Sequence, residues 1–197
     1  MLQYSELHYS HDELTLKELS YKLVMLLALL SGQRCQTLHC LSVSSMKMSD
    51  SKCVFTVDVL FKLSRKGKHL APLEFLAFPQ NEKLCPVSVL NEYLRMTKEI
   101  RGEENKLLLS YQAPHKPVSR NTLTRWLQQV AGVDAAQFSA HSTRAASSSA
   151  ALSSGVPVDV VLRAAGWNSE STFTRFYRKE PAVNMGQALL ESYLHKN

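Results

Sequence analysis

Leucine recurs at Leu14, Leu16, Leu19, Leu23, Leu26, Leu27 and Leu30, the three-and-four spacing of a helix that buries a face. From Leu23 onward nearly every position is apolar, so this helix is expected to be central rather than superficial. Gly32 stands where a left-handed stop residue belongs, and Ser10 or Asp12 can cap the start. Residues 1–12 are polar and aromatic without a period. They are expected to be an arm or linker remnant ahead of one domain over 13–197.

The pattern changes at Lys52. Residues 53–61 are rich in β-branched and aromatic side chains and partly alternate, which predicts a strand. Residues 69–78 predict its return strand, with Ser64-Arg65-Lys66-Gly67-Lys68 as the turn. Pro72 and Pro79 push parts of that second strand to an edge.

Helical periodicity resumes over 86–101, with Pro86 in the first turn and Gly102 as the stop. A short strand is expected at 107–110. Ser119 can cap a helix that carries Leu123, Trp126, Leu127 and Val130 on one face. The Ala/Ser-rich stretch 142–153 predicts a helix that packs closely on its neighbours, ended by Gly155. Shorter helices follow at 159–165 and 169–179, and an amphipathic one at 185–194. The fold class is mainly α with a small antiparallel β-sheet.

Composition narrows the function only slightly. The 197 residues suffice for one sizeable core. Lys and Arg total 23 against 17 acidic residues, a formal charge of +6, which favours a polyanionic partner such as nucleic acid. The four cysteines form no CxxC pair and have no zinc-ligand spacing; they read as reduced, mostly buried thiols. There is no phosphate-binding glycine loop and no acidic metal cluster, so no metal and no cofactor is expected. The longest apolar run, 23–30, is far short of the about 20 residues a membrane span needs. No secretory signal is visible at the start, so a soluble intracellular protein is expected.

Four short motifs carry more. Ser31-Gly32-Gln33-Arg34 with Leu38 follows the leucine-rich helix. Lys62-Leu63-Ser64-Arg65 lies at the hairpin, and His141-Ser142-Thr143-Arg144 opens the Ala/Ser-rich helix. Ala165-Gly166-Trp167 leads through Ser171-Thr172 to Tyr177. In this order they resemble the catalytic boxes of the tyrosine recombinase, or phage-integrase, family, and the resemblance spans about residues 14–195. The finer wording of the first and last boxes is similar to recombinases of eukaryotic DIRS-type retrotransposons.

The resemblance implies the catalytic fold shared with type IB topoisomerases and a set of Arg34, Lys62, His141, Arg144, Trp167 and Tyr177. It implies double-stranded DNA as substrate, a nuclear location, and self-association on DNA through helix 185–194. It also implies that a separate N-terminal DNA-clamping domain is missing ahead of residue 13. Arg65, Lys66, Lys68, Arg120, Arg125, Arg163, Arg175 and Arg178 are candidate phosphate contacts.

The residue types suit that chemistry. Transesterification of a phosphodiester builds negative charge on its non-bridging oxygens, and an arginine fork meets it with paired, permanently charged donors. A tyrosine nucleophile, with a pKa near 10, needs help to lose its proton; His141 and the arginines are the candidates. A hairpin lysine can protonate the departing 5′-oxygen, and the Trp167 indole N–H can donate to a phosphate oxygen. A covalent 3′-phosphotyrosine conserves bond energy, so rejoining requires neither ATP nor metal.

Each residue also has a structural reading. Arg34 suits the positive charge favoured at a helix C-terminus, His141 a cap, Trp167 a core. Lys66 and Lys68 compete with Lys62, and Tyr193 is the other late tyrosine. Two departures favour an alternative, a recombinase domain kept for DNA binding after activity decayed. Thr37 replaces the acidic residue common three places after the arginine. The Trp167–Tyr177 interval of ten positions is one longer than usual.

Overall fold

A computed structural model describes residues 10–57, 71–131 and 140–166. Its first long element, α1 (Leu16–Ser31), is the expected central helix. The cap is Thr15, not Ser10 or Asp12. The Thr15 hydroxyl accepts the Glu18 N–H at 3.3 Å, and the Glu18 carboxylate accepts the Thr15 N–H at 2.8 Å. Thr-x-x-Glu supplies both halves of this reciprocal cap, whereas Ser10 precedes only a 3-10 turn at His11–Glu13. At the other end Gly32 takes φ 61° and its N–H reaches the Ala28 carbonyl at 3.0 Å.

Leu19, Leu23 and Val24 are fully buried; each contributes about 2 kcal/mol of apolar burial. Helix α1 lies against α3 (Pro86–Arg101), α4 (Arg120–Ala131), α5 (Ala140–Ser153) and the strand Leu73–Leu76. A five-residue helix, α2 (Cys35–His39), follows α1 directly and packs on α4. The chain pattern had not shown it. Helix α6 (Val158–Ala164) ends the described chain and packs on α5.

The sheet is antiparallel in the order β1 (Met46–Met48), β2 (Lys52–Phe55), β3 (Leu73–Leu76). Phe55 pairs with Met46 on one side and Leu73 on the other. Cys53 and Phe55 from β2 alternate inward with Leu73 and Phe75 from β3. The Phe55 and Phe75 rings meet edge to face, centroids 6.1 Å apart. Strand β1 was unforeseen, and β2 is shorter than expected. The hairpin tip, residues 58–70, lies outside the described residues.

Pro86 opens α3 as expected. Its last turn is secured by Arg101, whose guanidinium donates to the carbonyls of Lys106 and Leu107 and to the Thr97 hydroxyl. Residues 107–110 form no strand. They are held by isolated bridges, Ser42 to Lys106 and Leu109 to Pro117. Ser119 caps α4, accepting the Thr122 N–H at 3.1 Å. Trp126 of α4 stacks on Tyr111 (centroids 5.4 Å apart, 28° between planes) and leans on Tyr21 of α1.

Helix α5 is built of small residues, and the closeness this allows is visible at Ser147, whose hydroxyl donates to the Leu29 carbonyl of α1. The four cysteines are free thiols, three of them buried.

Candidate active site

The first-arginine turn follows from how α1 stops. A left-handed residue at Gly32 reverses the chain, and Arg34 then takes the extended cap conformation (φ −77°, ψ 151°) that starts α2. Around it the packing is close. A Cβ built on Gly32 would stand 3.1 Å from the Ala165 Cβ and 3.6 Å from the Ser147 hydroxyl. Ser147 lies on α5 one turn beyond Arg144, and Ala165 immediately follows α6. Three segments distant in sequence therefore meet at one glycine.

Arg144 is 1% exposed. A guanidinium so deep gives up its hydration. Arg34, at the edge of the same meeting point, is half-buried. His141 sits one turn before Arg144 on the backbone of α5; its side chain lies outside the described residues.

Gln33, which the sequence reading passed over, is 5% exposed. Its Nε2 donates to the Ala164 carbonyl at 2.7 Å, and its Oε1 accepts the Thr37 hydroxyl at 3.2 Å. The signal available in the sequence was a polar amide directly before Arg34, at a position that a buried turn would otherwise fill with an apolar residue.

Along α2 the electrostatics are cationic. Burial holds the His39 imidazole below its ordinary value, and the charges of Lys106 and Arg120 press the same way, against a hydrogen bond at the Val118 backbone. Burial likewise pushes the Cys35 thiol up, opposed by the Thr124 hydroxyl and the Arg120 charge. Arg120 opens α4 and is exposed. No ion pair holds Lys106 or Arg120 among the described residues.

Arg125 is exposed on α4. Arg163 is exposed too but bonds to Asp159 at 3.0 Å, an exposed pair of little weight. Lys62, Arg65, Lys66, Lys68, Trp167, Arg175, Tyr177, Arg178 and helix 185–194 lie outside the described residues.

Two arginine-bearing elements that converge can bind a phosphodiester and hold charge developing on its oxygens. Among the described residues no group of three or more His, Cys, Asp or Glu could hold a metal ion, and no helix is long and apolar enough to cross a membrane.

The phage integrase family model matches residues 3–182. Comparison with curated protein sequences finds no match. Among solved structures, the XerH site-specific recombinase bound to its difH substrate superposes with a TM-score of 0.62 at 14% identity. That match covers 98% of this chain and 51% of the other. XerA recombinase gives 0.59 at 18% identity, covering 96% and 63%. A lambda integrase (75–356) dimer on a core site gives 0.50 at 20% identity, covering 89% and 60%. The chain thus spans between about half and two thirds of the length of these recombinases.

Proposed function

Since the chain belongs to the phage integrase family, we propose that it is a site-specific recombinase that cleaves and rejoins double-stranded DNA through a 3′-phosphotyrosine at Tyr177. In this reading Arg34 and Arg144 grip the two non-bridging oxygens of the scissile phosphate, where charge grows as Tyr177 attacks. His141 assists the phenol in losing its proton. Lys62 protonates the leaving 5′-oxygen, and Trp167 donates its indole N–H to the phosphate. The phosphotyrosine bond forms as the 5′-oxygen bond breaks, and reversal by a 5′-hydroxyl restores DNA and enzyme.

The observation that carries this reading is the convergence at Gly32. A side chain at Gly32, in the turn before Arg34, would meet both Ala165, which follows α6, and Ser147, on the helix that bears Arg144. Residue 167 follows α6 after only Ala165 and Gly166.

Several finer points belong to the same proposal. The basic rim of His39, Lys106 and Arg120 contacts flanking phosphates. Copies assemble on DNA through residues 185–194; lambda integrase is a dimer on its core site. The kinship to DIRS-type retrotransposon recombinases, with a nuclear location, rests on the wording of the motifs.

The test is incubation with nicked suicide duplexes carrying a randomised target region, followed by denaturing electrophoresis. A protein–DNA adduct that disappears in Tyr177→Phe is expected. Adduct retained in that variant refutes the nucleophile. Retarded DNA without any adduct favours the second reading, a DNA-binding domain that has lost catalysis, which Thr37 and the ten-position interval before Tyr177 support.

A further inference from the structure

Gln33 is a buried polar side chain directly before Arg34, and the phosphate chemistry above gives it no task. It is 5% exposed, as is Thr37. Its amide uses both ends. Nε2 donates across 131 positions of sequence to the Ala164 carbonyl at 2.7 Å, and Oε1 accepts the Thr37 hydroxyl at 3.2 Å. Its backbone N–H donates to the Ser31 hydroxyl at 3.2 Å, which in turn donates to the Leu27 carbonyl at 2.6 Å.

An apolar side chain of similar size would fill this space without the desolvation that a buried amide suffers. What the amide adds is direction. Ala164 is the last residue of α6, and its carbonyl is one of those a helix end leaves without an intrahelical partner. Thr37 is one turn beyond Arg34 on α2. The amide thus spans from the helix that leads into 167–177 to the helix that Arg34 starts. The same two segments come close beside it, since a Cβ at Gly32 would stand 3.1 Å from the Ala165 Cβ.

We infer that Gln33, together with Thr37, is a positioning pair that fixes the turn bearing Arg34 against the end of α6. This rests on the recombinase reading and adds to it a pair that touches no substrate. Loss of the strut slows the chemical step while DNA stays bound, because a displacement of about 1 Å in a reacting geometry costs up to roughly a hundredfold in rate.

The decisive comparison is Thr37→Val against Thr37→Ser. Valine keeps the shape and loses the hydroxyl; serine keeps the hydroxyl and loses a methyl. Adduct formation is timed at saturating concentrations of the randomised nicked-duplex pool, with affinity for the pool and urea midpoint measured on every variant.

Thr37→Val and Gln33→Leu are expected to slow adduct formation about tenfold or more, with affinity changed less than about twofold. Thr37→Ser should stay within about twofold of the unaltered protein, because it keeps the hydroxyl that Gln33 Oε1 accepts. The double variant Gln33→Leu/Thr37→Val should be no slower than the slower single one, since both break one unit. Equal rates for Val and Ser, or a slower Ser variant, overturn the positioning role and leave the recombinase reading standing. Absence of adduct with the unaltered protein overturns that reading and the positioning role with it.

Discussion

Lys22 lies in the middle of α1 with 1% of its surface exposed. Burial, with a smaller push from Lys83, brings its ammonium down from 10.5 to about 8. In the unfolded chain the amine keeps its ordinary value, so between pH 8 and 10.5 the unfolded state binds more protons than the folded one. Stability therefore rises with pH across that window, and below it the folded protein carries the full cost of a buried charge. At 1.36 kcal/mol per pH unit the gap corresponds to about 3 kcal/mol at pH 7.

Lys22→Met removes the charge, keeps an unbranched chain of similar length and retains good helix propensity. It also forfeits the polar interaction that Lys22 makes, so the net gain at pH 7 is about 2 kcal/mol. Urea unfolding followed by circular dichroism at pH 7.0 and pH 9.5 measures it. The variant should be more stable at pH 7.0, and its advantage should shrink by about 2 kcal/mol at pH 9.5, where folded Lys22 is already neutral. An advantage equal at both pH values, or a variant less stable at pH 7.0, would refute the reasoning.

Gly32→Ala should cost about 1–3 kcal/mol, because φ is +61° and the new Cβ would stand 3.1 Å from the Ala165 Cβ; thermal melting measures the loss, and adduct formation should fall with it. Lys106→Ala and Arg120→Ala should each flatten the slope of log affinity for duplex DNA against log salt by about 0.9. An unchanged slope removes that residue from the phosphate contacts. His39 is held below its ordinary value by burial and by two neighbouring cations, and a bound phosphate would favour its protonated form. DNA affinity should therefore rise as the solution is acidified from neutral, and His39→Gln should abolish that rise in a titration at fixed ionic strength.

Much of the scaffold could be read from the chain because its signals are long or local. Helix α1 shows its period over four turns, α3 is bracketed by Pro86 and Gly102, and Ser119 marks the start of α4. Helix α2 escaped because five residues are too few for a 3.6-residue period to register. Strand β1 escaped because Met-Lys-Met has no β-branched signature. Thr15 was passed over for more usual caps further upstream, although Glu18 three places on completes the Thr-x-x-Glu box.

At the site, Arg34 and Arg144 were legible from ordered motifs. Gln33 was not, because its partner at position 164 becomes a neighbour only in the folded chain, 131 positions away in sequence. The same holds for the two cations around His39, Lys106 and Arg120, which come from segments far from it in sequence.

The stack of Trp126 on Tyr111, beside Tyr21, makes the molecule its own optical instrument. The chain has two tryptophans, and Trp126, 4% exposed, should emit toward the blue and report the integrity of the helical core. Trp126→Phe would silence that signal and leave emission from Trp167 alone. One substitution thus turns an intrinsic fold reporter into a fluorescent probe at the proposed point of phosphate contact, readable in real time as DNA is added.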